Sequence, residues 1–245
     1  MRIKGLIYWI IGVAAILNSC SLADDAGDQL PEYDFAFIEL FDEATLDWQG
    51  GFSDYPDSLK DALNFQIERK ELSNVFSADN HVLMLSARNP HGDLFYYIAK
   101  KFTDLEPSTS YQLSFSYEIL IEDVDQSVDS VDTELYLKAG AITKEPETQL
   151  SFDSGNNLGS NFVLNADKGE NQIDGTDRIY FIRKVTDPIY STKPVIISGE
   201  TSPGQVTVST DINGNFWVIF GVDSKSKAEL SFSFNTMVVF FKKVG

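Results

Sequence analysis

The chain has 245 residues, of which 37 are acidic, 19 basic and two histidine, with a formal net charge of −18 and a single cysteine. Such a surface excludes nucleic acid as a partner, because phosphate binding needs clustered Lys and Arg. One cysteine excludes an internal disulfide, and two histidines leave little material for a His-rich zinc site or a His-based triad.

The chain begins with the basic stretch Met1-Arg2-Ile3-Lys4, and the uncharged run Gly5 to Leu17 follows. A basic head, a short apolar run and a small residue before a cut describe a secretory signal over residues 1–19. The run is shorter than the roughly 20 residues that span a bilayer core. Leu17-Asn18-Ser19-Cys20 resembles the bacterial lipobox. That resemblance implies that Cys20 is acylated with palmitate-type chains and becomes the new N-terminus. Each buried acyl methylene adds about 0.8 kcal/mol of membrane affinity. Ser21 is not an acidic sorting residue, so the expected address is the cell envelope at the outer membrane.

Residues 20–32 are small, acidic and poor in apolar side chains, and read as a flexible tether. A β domain is predicted over 33–245. Its first strand lies near Tyr33 to Phe41, and Asp57 to Ser73 reads equally as a short helix or a strand. Further strands are predicted around His81–Ala87, Asp93–Phe102, Tyr111–Ile119, Thr133–Gly140, Phe162–Leu164, Ile179–Ile182, Val195–Ile197, Gln205–Ser209, Phe216–Phe220, Leu230–Phe234 and Met237–Phe241. Asp211-Ile212-Asn213-Gly214 predicts a tight type I′ hairpin. Short strands, turn punctuation and no strong helix indicate an all-β fold, a single antiparallel sandwich.

Four segments carry a family resemblance. They are Trp48 to Pro56, Leu135 to Ala141 with Glu145-Pro146, Asn165 to Gln172 with Gly175-Thr176-Asp177, and Phe216 to Ser224. Together they resemble a poorly characterised group of bacterial lipoproteins, which implies fold and address but no activity. A broader likeness is to jelly-roll carbohydrate-binding modules, in which a Leu-x-Pro turn, here Leu105-Glu106-Pro107, precedes a strand such as Thr109 to Tyr117. In such modules the last strand often starts with Asp; the matching place here is Asn235.

Sugar binding needs an aromatic face flanked by polar groups. Trp48, Asp54 and Tyr55 have that chemistry, although Trp48 suits a sandwich core equally well. Trp217 reads as core, and of Tyr96 and Tyr97, on opposite strand faces, only one is expected outside. Lys138 shares the face of Tyr136, opposite Leu135 and Leu137. It would either pair with Asp54, Asp167 or Asp177 or contact a ligand, and Asn171 would join it from the Asp167–Asp177 loop. Asp167, Asn171, Asp174 and Asp177 are also the oxygen donors that a structural calcium would use, since calcium takes six to eight oxygens from a flexible loop. Glu122 to Glu134 is a second acidic stretch. Three functions are compatible with these residues: a binding module with a glycan as ligand, a structural or protein-interaction envelope lipoprotein without a small ligand, and a two-carboxylate glycoside hydrolase. No carboxylate spacing singles out a catalytic pair, so a non-enzyme is expected.

Overall fold

The computed structural model describes residues 33–41, 47–72, 81–123, 134–152, 159–186, 194–202 and 204–244. The signal segment, the tether and most of the Glu122–Glu134 acidic stretch lie outside these residues. The strands in chain order are β1 (Phe35–Glu39), β2 (Trp48–Ser53), β3 (Tyr55–Pro56), β4 (Gln66–Glu71), β5 (His81–Ala87), β6 (Leu94–Phe102), β7 (Ser110–Asp123) and β8 (Leu135–Ile142). They continue with β9 (Thr148–Phe152), β10 (Ser160–Leu164), β11 (Ile179–Val185), β12 (Val195–Glu200), β13 (Val206–Ser209), β14 (Phe216–Ser224) and β15 (Leu230–Val244).

One sheet runs β12-β7-β15-β5-β4, with β13 also on β7 and β1 also on β15; the second runs β11-β8-β14-β6-β2. All pairings are antiparallel, and together the two sheets form a β-sandwich of jelly-roll-like character. A small third sheet, β3-β10-β9, lies beside the second.

The period of two in the sequence decides which side chains meet between the sheets. Tyr111, Leu113, Phe115, Tyr117, Ile119 and Ile121 of β7 all belong to the main core. Phe216, Val218, Phe220 and Val222 of β14 answer them from the opposite sheet. Phe115 and Tyr117 meet the Phe220 ring edge-on at 5.4 and 5.2 Å, contacts worth about 0.5–1.5 kcal/mol each beyond their buried area.

The second sheet is covered on its outer face too. Phe95, Tyr97, Ile142, Ile179, Trp217 and Ile219 form a separate cluster there, closed by Leu164 and Ala166. For this reason Tyr96 and Tyr97 are both buried, contrary to the sequence expectation that one is exposed. Two glycines let rings lie flat on this face. A Cβ at Gly221 would come within 2.3 Å of Phe95 Cζ, and one at Gly51 within 2.3 Å of Tyr97 Cζ.

Four local expectations change. Asp57 to Ser73 contains both readings, a 3-10 turn over Asp57–Ala62 and then β4. Strands β2, β3 and β9 were not anticipated, the Trp48–Pro56 segment being strand where turns and a loop were expected. The Asp211–Gly214 turn is not a type I′ hairpin: only Gly214 within it has positive φ, and the strands it joins, β13 and β14, belong to different sheets. Asp211 instead accepts hydrogen bonds from the Asn213 and Asn215 amides at 2.8 Å each. Asn235 does not begin a last strand. It sits at a register shift inside the continuous β15, its Nδ2 donating to Glu118 Oε1.

Candidate functional site

Lys138 is fully buried on the outer face of the second sheet. Its neighbour across β14 is Gly221, which leaves room for the long side chain to run along the sheet. Its Nζ donates to Lys168 O at 2.8 Å and Ile173 O at 2.9 Å. It therefore fastens the 167–177 loop through two backbone carbonyls, not through a carboxylate. Burial, with the neighbouring Lys168 charge second, lowers the Lys138 pKa to about 8.

The carboxylate contacts belong to Lys168. Its Nζ lies 2.8 Å from Asp54 Oδ2 and 3.2 Å from Asp223 Oδ2, and 5.0 Å from the centre of the Phe95 ring. Asp223 is fully buried, and its Oδ2 also accepts the Asn171 amide at 3.1 Å. Burial pushes the Asp54 carboxyl above its ordinary value, against the pull of Lys168. Burial would lower Lys168, but the two carboxylates outweigh it and hold the ammonium above its usual range. Asp54 has a left-handed backbone (φ 67°), which Asp tolerates better than most residues. Asp54, Lys138 and Asn171 are thus brought together around Lys168 and Asp223 as one polar knot tying the end of β2, the middle of β8 and the 167–177 loop.

Asp167 heads the loop and is spent on it. Its carboxylate accepts Gly169 N (2.9 Å), Thr176 N (3.0 Å) and Thr176 Oγ1 (2.7 Å). Those bonds, the amides first, hold its pKa below the usual carboxylate range. Asp174 Oδ1 accepts the Phe181 amide and Asp177 Oδ2 the Asp167 amide. Asp167, Asp174 and Asp177 therefore each turn carboxylate oxygen toward main-chain donors, while Asn171 joins the knot through its backbone amide and keeps its Oδ1 buried without a hydrogen-bond partner. Among the described residues no group of three His, Cys, Asp or Glu gathers where a metal ion could sit.

The two aromatic candidates present no ring face. Trp48 is buried between Phe41 and Phe220 and donates its indole N–H to Glu39. Tyr55 is buried, stacked on Phe162 at 5.0 Å with Phe65 edge-on.

A different place is open. At the other end of the outer face, a cleft of ≈ 480 Å³ is lined by Asp47, Trp48, Gln49, Lys101, Thr103 and Trp217. A second depression of ≈ 370 Å³ is lined by residues 141–144 and by Thr176, Asp177 and Arg178. Trp217 of β14 lies between Lys101 of β6 and Ile142 of β8 in the register, so residues lining the two depressions are neighbours across the strands. Sequence reasoning assigned Trp217 to the core, and it is indeed 7% exposed, but the edge it shows lines the cleft. Lys168 and Asp223 were also missed. The signal for Asp223 was present: a lone charge inside the apolar strand Phe216 to Ser224.

No family model and no curated protein matches this chain. Solved structures do resemble it in architecture. One is the CBM22-1 xylan-binding domain of Xyn10C from Paenibacillus barcinonensis, 10% identical, with a TM-score of 0.41 over 85% of this chain and 95% of that one. Another is the mannan-recognising module TmCBM27, 15% identical, with a TM-score of 0.41 over 87% and 100%. A third is described as a putative sugar binding protein from Bacteroides thetaiotaomicron, 10% identical, with a TM-score of 0.35 over 83% and 91%. The likeness is one of sandwich architecture.

Proposed function

We propose that this protein is a non-catalytic binding module held at the bacterial cell envelope through a lipidated Cys20, and that its ligand is a carbohydrate bound in the cleft beside Trp217. The observation that carries the reading is the lining of that cleft: amide, hydroxyl, ammonium and carboxylate groups from Gln49, Thr103, Lys101 and Asp47 beside Trp217. Sugars need that mixture, hydrogen bonds to hydroxyls beside an apolar surface for their C–H groups. Among the described residues Asp47 is the one carboxylate in the lining, where a glycoside hydrolase uses a pair of acids.

A glycan array with the purified protein tests the ligand. Binding that is lost in Gln49→Ala and Thr103→Ala, with unchanged melting, is expected; an empty array, or binding indifferent to both substitutions, overturns the reading. For the anchor, Cys20→Ala should leave the membrane fraction or accumulate as unprocessed precursor. Undiminished acyl labelling of that variant would defeat it.

One observation favours a second reading, an envelope-protein interaction. Strand β9 ends the third sheet, carries no charge, and exposes Leu150 and Phe152, the latter 78%. Edge strands are ordinarily blunted by charge or proline, and β9 is not. If this edge is the functional surface, Phe152→Lys abolishes partner capture while cleft substitutions do not.

A further inference from the structure

We infer that the glycan is a linear anionic one, bearing carboxylate or sulfate groups, laid across the strands from Lys101 to Arg178. This rests on the carbohydrate reading above and narrows its ligand class.

The register fixes the path. Lys101, Trp217 and Ile142 stand in one row across β6, β14 and β8, on the outer face. Arg178 stands one residue off that row: its carbonyl accepts the Ala141 amide at 3.3 Å, placing it beside β8 where β11 begins, and it lines the second depression with Ile142. Lys101 and Arg178 are therefore about three strand spacings apart, roughly 14 Å. A single sugar does not bridge that distance, whereas a short linear chain does, passing over the edge of Trp217.

Charge selects the kind of chain. In a protein with nearly twice as many acids as bases, the two depressions are lined by three cations, Lys101, Lys144 and Arg178, and two acids, Asp47 and Asp177. Both acids are already engaged. Asp47 Oδ2 lies 3.3 Å from Lys100 Nζ. Asp177 Oδ2 accepts the Asp167 amide at 2.7 Å and faces Lys144 at 4.0 Å. Glu145, at the rim, accepts from Gln49 Nε2 at 3.4 Å. Among the described residues Lys101 and Arg178 form no ion pair, and both are exposed. Two exposed cations without an ion-pair partner among the described residues, Lys101 sharing only a longer-range attraction with Asp211, on a molecule that otherwise repels anions, would recognise spaced negative groups.

The test measures binding of the full-length protein to polygalacturonate and alginate, with neutral xylan and mannan as counterparts and polyaspartate as a polyanion without sugar. The acidic polysaccharides should bind, weaken about tenfold or more on raising salt from 0.05 to 0.5 M, and weaken about threefold or more in Lys101→Gln and in Arg178→Gln at unchanged melting temperature. Neutral polymers bound as well or better, indifferent to salt and to both substitutions yet lost in Gln49→Ala, overturn the anionic assignment and leave the carbohydrate reading standing. Polyaspartate bound as tightly, with the same sensitivity, overturns the inference in favour of a general polyanion site. Binding of no polysaccharide overturns both readings.

Discussion

Replacing Lys168 by Met isolates the energetics of the polar knot. In the native protein one ammonium faces two carboxylates at 2.8 and 3.2 Å, and its side chain is 8% exposed against 19% for Asp54 and none for Asp223. Removing one partner of a buried ion pair costs about 3–5 kcal/mol, because the remaining charge loses its compensation. Here two charges are left, so the upper part of that range applies at pH 7. For a domain of this size 1 kcal/mol corresponds to about 2–4 °C in melting temperature, so about 4–5 kcal/mol gives an expected drop of about 8–20 °C. The loss should also depend on pH. Burial already raises the Asp54 pKa, and without Lys168 the folded state gains a further preference for the protonated acid. A raised carboxyl pKa contributes stability at low pH that disappears as pH rises through the folded value. The deficit of Lys168→Met relative to the native protein should therefore be smaller at pH 4.5 than at pH 7. Near-ultraviolet circular dichroism melts at the two pH values measure this. A drop below about 2 °C at pH 7, or a deficit equal at both pH values, refutes the account of Lys168 as the charge that permits Asp54 and Asp223 to be buried.

Lys138 gives the opposite pH signature: its pKa is lowered to about 8 from 10.5, so the unfolded state binds the proton more tightly between those values, and stability should rise from pH 8 to 10.5. The neutral amine still has the two donors that Lys168 O and Ile173 O require, so the loop stays fastened; Lys138→Met should flatten the rise in denaturant midpoint, and an unaltered rise argues against Lys138 as its source. Gly221→Ala forces a methyl to within 2.3 Å of the Phe95 ring and should cost about 1–3 kcal/mol, read as a lowered urea midpoint; a neutral result would mean that Phe95 is free to move off the sheet.

Much of the fold was legible because strands β5, β7 and β14 carry their period-two or apolar pattern in the chain itself. Strand β9 was not, since Thr148 to Phe152 is mostly exposed and has no buried face to mark it. The Asp211–Gly214 turn misled because Asn-Gly signals positive φ, while the Asp211 side chain here holds a different turn, and one that crosses between sheets. At the site, the alternation around Tyr136 located Lys138 on the outer face correctly. What sequence could not supply was the covering of that face by Leu164, Ala166 and the 167–177 loop, which turns an outward lysine into a buried one. Nor could it show that Trp48 and Tyr55 are lost as stacking rings, because their burial in the main core depends on partners such as Phe220 and Phe162 that are distant in the chain.

The final strand has a consequence for how the molecule comes into being. β15 lies between β7 and the end-to-end pair β5 and β1, so this fifteen-residue strand near the end of the sequence holds the first strand of the described body in place. A ribosome releasing the chain from its N-terminus has therefore made nearly all of it before the larger sheet can close. Until then β1 and β5 lack the strand that joins them to β7. A chain cut short before Leu230 would lose the strand on which both β1 and β5 depend, so the integrity of the C-terminal end decides whether the N-terminal end of the body has a place.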